Sequence, residues 1–198
     1  MNEKRLKGES TKRKIVDVAT NLFNENGYDA TSIQDICNRA EISKGAFFHH
    51  FPTKEYLFLE ILNEFLEDLN EKMRKIEKKS NNIPQAMLEM TEILKEIFEI
   101  SEGKFSIFLE FLRRSSKNEE IMNKLSTNFI KYENYVENLI ERGKKEKTFD
   151  EKINSKFISS LIVSLAIGVI LRKSLFKDKN DLSKDGIIFL LNSIKRRS

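Results

Sequence analysis

Between Lys44 and Lys54 the chain gathers two lysines and a pair of adjacent histidines, with glycine, alanine and hydroxyl residues around them. Lysine offers a mobile cation, and imidazole both donates and accepts hydrogen bonds. Gly45 lets the backbone come close to a phosphate. Thr31, Ser43 and Thr53 fall where helices are expected to begin, and free N–H groups there favour anions. Together these groups suit contact with a phosphate backbone and with base edges. Adjacent histidines such as His49 and His50 also raise the question of a metal, but neighbours at i and i+1 point in different directions on a helix. No cysteine or acid nearby completes a ligand set, so neither metal nor cofactor is expected.

These side chains need short helices to hold them. Ile15, Val18, Ala19, Leu22 and Phe23 follow helical spacing, which predicts a first helix starting near Ser10 or Thr11. The preceding basic arm, with Lys4, Arg5 and Lys7, is expected to be disordered. Asn26-Gly27 ends the helix, with Gly27 in a left-handed cap. Thr31-Ser32-Ile33-Gln34 reads as a capping box for a second helix reaching about Ala40. Ile33, Ile36, Cys37 and Ala40 share one face of it, so Cys37 is expected to be a buried core thiol. A turn, Glu41-Ile42-Ser43, leads to a third helix from Lys44 to His50, capped by Ser43 and stopped by Pro52. Two short helices around a tight turn make a helix-turn-helix, whose second helix can enter the major groove. Phe47 and Phe51, four apart, anchor that helix. Lys44, Ala46, His49 and His50 remain available to DNA.

The stretch TSIQDICNRAEISKGAFFHHFPTKEYLF closely resembles the DNA-binding signature of the TetR family of bacterial regulators. Leu22-Phe23 and Asn26-Gly27-Tyr28 before it also match. The resemblance covers about residues 11 to 60. It implies DNA contact by Lys44, Ala46, Phe48, His49, His50 and Lys54. Gly45 and Ser43, with Thr31, Ser32 and Gln34 at the start of the second helix, complete the expected DNA-binding set. Phe48 departs from the family's usual tyrosine, and it cannot give a phosphate the hydroxyl hydrogen bond.

The rest of the 198 residues favours helix throughout, with only 7 Gly and 2 Pro. Apolar spacing predicts helices over about 53–78, from Pro84 to before Gly103, beyond Gly103, and over 118–145, 151–176 and 183–196. The expected fold is all-α, with about nine helices. A three-helix DNA-binding domain with its basic arm spans 1–54, and a helical ligand-binding and dimerisation domain spans 55–198. The net charge of +4 says little about partners. A lone cysteine allows no internal disulfide, and the polar N-terminus shows no signal peptide, so a cytoplasmic protein is expected. The apolar run from Phe157 to Leu171 is shorter than the roughly 20 residues needed to cross a bilayer, so no membrane partner is expected.

Two features speak for the second domain. The last two helices are apolar nearly all round, so one side can pack on its own domain and another on a partner chain. The resemblance implies the same, a homodimer built through Phe157, Ile158, Leu161, Ile162, Leu165, Val169, Ile187, Leu191 and Ile194. The middle helices are rich in aromatics, in a chain with 15 Phe and no Trp. With the resemblance, this suggests a pocket for a small apolar or amphipathic effector. Its expected walls are Phe65, Leu69, Met90, Phe98, Phe105, Phe108, Phe129, Tyr132 and Ser164. Phe111 and Tyr135 lie on the same aromatic helices. The implied function is that of a transcriptional regulator: a repressor on double-stranded DNA, released from an inverted-repeat operator by that effector. A regulator of the same fold with no small-molecule ligand is the alternative. An enzyme is the third reading, and no phosphate loop, HExxH pair or nucleophile elbow supports it.

Overall fold

Sparse glycine and proline leave helix starts and stops to a few capping residues, and these set the architecture. The computed structural model describes residues 3–100, 104–176 and 182–196. Nine helices run through these residues: α1 Glu3–Asn26, α2 Ile33–Ala40, α3 Lys44–His50, α4 Lys54–Lys79, α5 Ile83–Ile100, α6 Lys104–Ser115, α7 Glu119–Lys145, α8 Ser155–Phe176 and α9 Leu182–Ile194. Their only extended pairing among the described residues is an isolated antiparallel bridge, Phe149 to Lys195.

Most boundaries follow local chemistry. Gly27 takes the left-handed conformation at φ 85°, and its N–H closes α1 on the Phe23 carbonyl at 2.9 Å. Asn82 caps α5 by accepting the Gln85 N–H at 2.9 Å, with Pro84 in the first turn. Asn154 caps α8 in the same way, accepting the Phe157 N–H at 3.0 Å. The N-terminal arm departs from the expectation of disorder, since α1 already begins at Glu3. Extending an existing helix needs no new nucleus, and Gly8 is the only strong breaker in that segment. The helix end at Ile194 also falls short of 196, because Lys195 and Arg196 turn to pair with 148–149.

The chain forms two compact units, Met1–Leu66 with Gly103–Leu125, and Glu67–Glu102 with Ser126–Ser198. The first reaches past residue 54, where the sequence places a division, and takes in the start of α4 and all of α6. The reason lies in its core. Ile15, Ala19, Phe23, Ile36, Cys37, Ala40 and Phe47 are buried together with Leu57 and Phe58 of α4 and Phe111 of α6. Phe58 and Phe111 stack at 4.3 Å between ring centres, and Tyr28 meets them edge-on at 5.4 and 5.9 Å. Each such aromatic pair adds about 0.5–1.5 kcal/mol beyond area burial. Phe111, one of the aromatics on the middle helices, thus belongs to this core.

The second unit is centred on Ile83, Met87 and Met90 of α5, Val136, Leu139 and Ile140 of α7, Ile162 of α8 and Ile187, Leu191 and Ile194 of α9. Phe149 lies buried between them. Its ring occupies the space a side chain at Gly143 would need, so that glycine permits close approach rather than a turn. No described helix is long and apolar enough to cross a membrane.

Candidate nucleic-acid interface

The first unit holds its helix-turn-helix by two N-caps and one left-handed turn. Ser32 is extended, and its hydroxyl oxygen accepts the Asp35 N–H at 3.1 Å, while the Asp35 carboxylate accepts the Ser32 N–H at 2.9 Å. The Ser32 hydroxyl and backbone hold the Asp35 carboxyl below its usual range. The capping box therefore sits one residue later than the Thr31–Gln34 box read from the sequence. Gln34 instead donates to Asn38, one turn on, at 2.7 Å. Glu41 closes α2 at φ 53°, and the Ile42 N–H reaches the Cys37 carbonyl at 3.0 Å. The Cys37 thiol is buried, as expected, and burial pushes its pKa up. The Ser43 hydroxyl then accepts the Ala46 N–H at 3.1 Å and starts α3.

Helix α3 has a sealed face and an open one. Phe47 is fully buried, and its ring lies 6.0 Å from that of buried Phe51. Lys44, Gly45, Phe48 and His49 are exposed, with Ala46 and His50 half-buried. Phe48 keeps 49% of its surface open, an unusual degree for a large apolar side chain. Burial first, and then the charges of His49 and Lys12, hold His50 below its ordinary value of 6.5. The His49 and His50 rings lie 5.1 Å apart, and no group of metal-ligating side chains is found among the described residues.

Two of the expected DNA-contacting groups turn inward. Thr31 is buried, and its hydroxyl donates to the Gly27 carbonyl at 2.8 Å and the Leu22 carbonyl at 3.2 Å. The Lys54 ammonium donates to the carbonyls of Tyr28 at 2.7 Å and Thr31 at 2.8 Å, over the Tyr28 ring. Burial lowers its pKa, because desolvation disfavours the charged form. Lys54 thus ties the start of α4 to the α1–α2 turn rather than standing as a free surface cation.

The same turn is held from α6. The Asp29 N–H donates to the Glu110 carboxylate at 2.9 Å, and Arg114 donates to the Asp29 carboxylate at 2.8 Å, with Arg113 beside it. The Arg114 guanidinium holds the Asp29 carboxyl below its usual range. Arg39 of α2 grips Glu25 of α1 through both nitrogens, at 2.7 and 3.0 Å. Sequence reasoning does not reach these pairs, since partners 14 to 85 positions apart leave no local pattern.

This arrangement has known counterparts. Residues 15–61 match the family model for bacterial regulatory proteins of the tetR family. The chain is 56% identical over 52 residues to the HTH-type transcriptional regulator QacR of Staphylococcus aureus, covering 26% of this chain and 28% of that protein. Residues 15–61 are thus similar to the DNA-binding part of tetR-family regulators, and the chain spans little more than a quarter of the length of QacR. The HTH-type transcriptional regulator UidR of Escherichia coli is 22% identical over 86% of this chain and 85% of its own length. A TetR-family transcriptional regulator of Cytophaga hutchinsonii shares the fold, with a TM-score of 0.79 and 16% identity over 97% of this chain and 98% of that one. All three of these similar proteins are transcriptional regulators.

The expected effector walls are shared out between the two units. Phe65 and Phe108 fall in the first unit, and Leu69, Met90, Phe129, Tyr132 and Ser164 in the second. Phe65 is exposed, while Leu69, Phe108, Phe129 and Tyr132 are half-buried. Burial raises the pKa of the Tyr132 hydroxyl. Met90 is buried in the core of that unit and Ser164 is exposed. Tyr135 donates to Glu77 at 2.8 Å. The side chains of Phe98 and Phe105 lie outside the described residues.

The expected dimer residues also divide. Ile162, Val169, Ile187, Leu191 and Ile194 are buried within their own unit, and Ile158 and Leu165 pack against its core. Only Phe157 and Leu161 of the set are open. Ile167, Leu171, Ile188 and Phe189, outside that set, are open too, with Phe189 at 73% exposure. The periodicity of a helix apolar all round does not say which of its residues are buried and which stay open.

Proposed function

We propose that this chain is a sequence-specific, DNA-binding transcriptional regulator that works as a homodimer in the cytoplasm. The observation that carries the reading is α3, a capped helix anchored by Phe47 and Phe51 that leaves Lys44, Gly45, Phe48 and His49 open. Such a helix fits the major groove, where side chains read base edges. The exposed N-terminus of α2 offers Ser32 and Gln34 to the flanking backbone. The second copy covers the apolar faces left open on α8 and α9, and two-fold symmetry makes the operator an inverted repeat.

The regulator acts as a repressor that a mainly apolar small molecule releases from DNA. Half-buried Leu69, Phe129 and Tyr132 support an effector site in the second unit, and α4 runs on from the reading head through residues 67–79 of that unit. A hundredfold loss of DNA affinity needs about 2.7 kcal/mol of coupling, within the ordinary allosteric range, and operator DNA must weaken the effector equally. The closed packing of Ala86, Met87 and Met90 favours a second reading, the same regulator without a small-molecule ligand. Retention of genomic fragments in a gel shift tests the DNA reading. A screen of lipophilic metabolites by thermal shift, followed by operator release, then separates the two modes of control.

A further inference from the structure

One side of the second unit carries a cleft that the DNA-binding reading does not use. It opens between the first turns of α5, the loop after α7 and the last turn of α9, and has a volume of about 690 Å³. That is in the range of small-molecule sites. Leu88 and Leu191 give it an apolar wall with the buried Phe149 behind them, and Lys147, Lys195 and Arg196 lie along its edge. Among the described residues none of these three cations has an ion pair. Glu146, the acid beside Lys147, commits its carboxylate to the Ile83 N–H at 3.1 Å.

The backbone of all three cationic residues is fixed by hydrogen bonds. The Phe149–Lys195 bridge, with Asp150 N–H to Ile194 carbonyl at 3.0 Å and Arg196 N–H to Thr148 carbonyl at 3.2 Å, fixes residues 195 and 196 beside 148 and 149. Lys147 stands at φ 60°, at the end of α7, where its N–H bonds the Lys144 carbonyl at 2.9 Å. That left-handed position normally suits glycine or asparagine. A lysine there accepts backbone strain and brings a third positive charge to the cleft. Like charges gathered beside an apolar wall repel one another until an anion joins them.

We propose that this cleft binds an amphipathic carboxylate, with its apolar chain along Leu88 and Leu191 and its head among Lys147, Lys195 and Arg196. Arginine matches a carboxylate with two parallel hydrogen bonds, and the lysines add point charge. The site does not depend on the DNA-binding reading, because it is tested by direct binding.

The test is calorimetric titration of the full chain with decanoate, decanol, decyltrimethylammonium and acetate, each below its aggregation threshold. Decanoate binds, the other decyl compounds bind at least tenfold more weakly, and acetate gives no heat. Lys147→Gly removes one cation and relieves the left-handed strain, so its melting temperature stays at or above wild type while decanoate weakens severalfold. Adding Lys195→Gln and Arg196→Gln weakens it at least tenfold. Three results overturn the proposal: no decanoate binding at millimolar concentration, equal binding of decanol, or a folded triple variant with wild-type affinity. The last would place decanoate elsewhere on the chain.

Discussion

The Lys54 ammonium lies 2.7 Å from the Tyr28 carbonyl oxygen and 4.2 Å from the centre of the same residue's ring. One cation thus holds a turn that joins α1 to α2 and also satisfies the Thr31 carbonyl. Lys54→Met keeps the apolar stem but removes these bonds. It should cost about 1–3 kcal/mol of stability, the range for leaving buried polar groups without partners. DNA affinity at full folding should keep its salt dependence. A phosphate-contacting lysine would instead reduce the salt slope by about one unit. Urea melts and gel shifts over a salt series distinguish the two roles.

The open face of α3 should behave in the opposite way. Lys44→Ala and His49→Ala remove exposed side chains, so melting temperature should hardly change. Specific DNA binding should weaken by about 1–3 kcal/mol for each side chain that makes a good base contact. The measurement is affinity for the retained fragment against a scrambled one. Wild-type affinity in the double variant would remove α3 from the interface.

Assembly can be separated from folding by choosing open rather than buried positions. Phe157 and Phe189 are 60% and 73% exposed, so an aspartate at either leaves the fold of one chain intact. In a dimer that covers these faces, Phe189→Asp or Phe157→Asp should give helical monomers in sedimentation. Leu191→Asp, by contrast, buries a charge in the core and should unfold the second unit. A wild-type chain that sediments as a monomer at micromolar concentration rules out the homodimer.

His50 gives a pH signature. Its folded pKa lies below the ordinary 6.5, so the unfolded chain takes up a proton more readily. The stability it contributes is complete above 6.5 and is lost as pH falls from there through the folded value. Thermal melts between pH 7.5 and 5 should show this decline, and His50→Gln should flatten it. An identical slope in the variant would show that other groups cause it.

Local chemistry made much of the head legible. The α3 span, its Ser43 cap, the Gly27 stop and the buried face of α2 all depend on neighbours within one helical turn. The error in α2 came from two adjacent hydroxyl residues that could both cap. Burial of Thr31 beneath the α1 end left the role to Ser32, and only packing could make that choice.

Short-range properties, 3.6-residue periodicity and capping, determined in the sequence which segments are helical, the turn between α2 and α3 and the side chains that α3 could present, though not where α1 starts or α9 ends. The tertiary structure alone decided that Lys54 faces inward, that Phe111 joins the head and that Met90 closes a core. It also decided which faces of α8 and α9 stay open. Those outcomes depend on contacts between residues distant in the chain, and an apolar or cationic side chain looks the same in sequence whichever neighbour it meets.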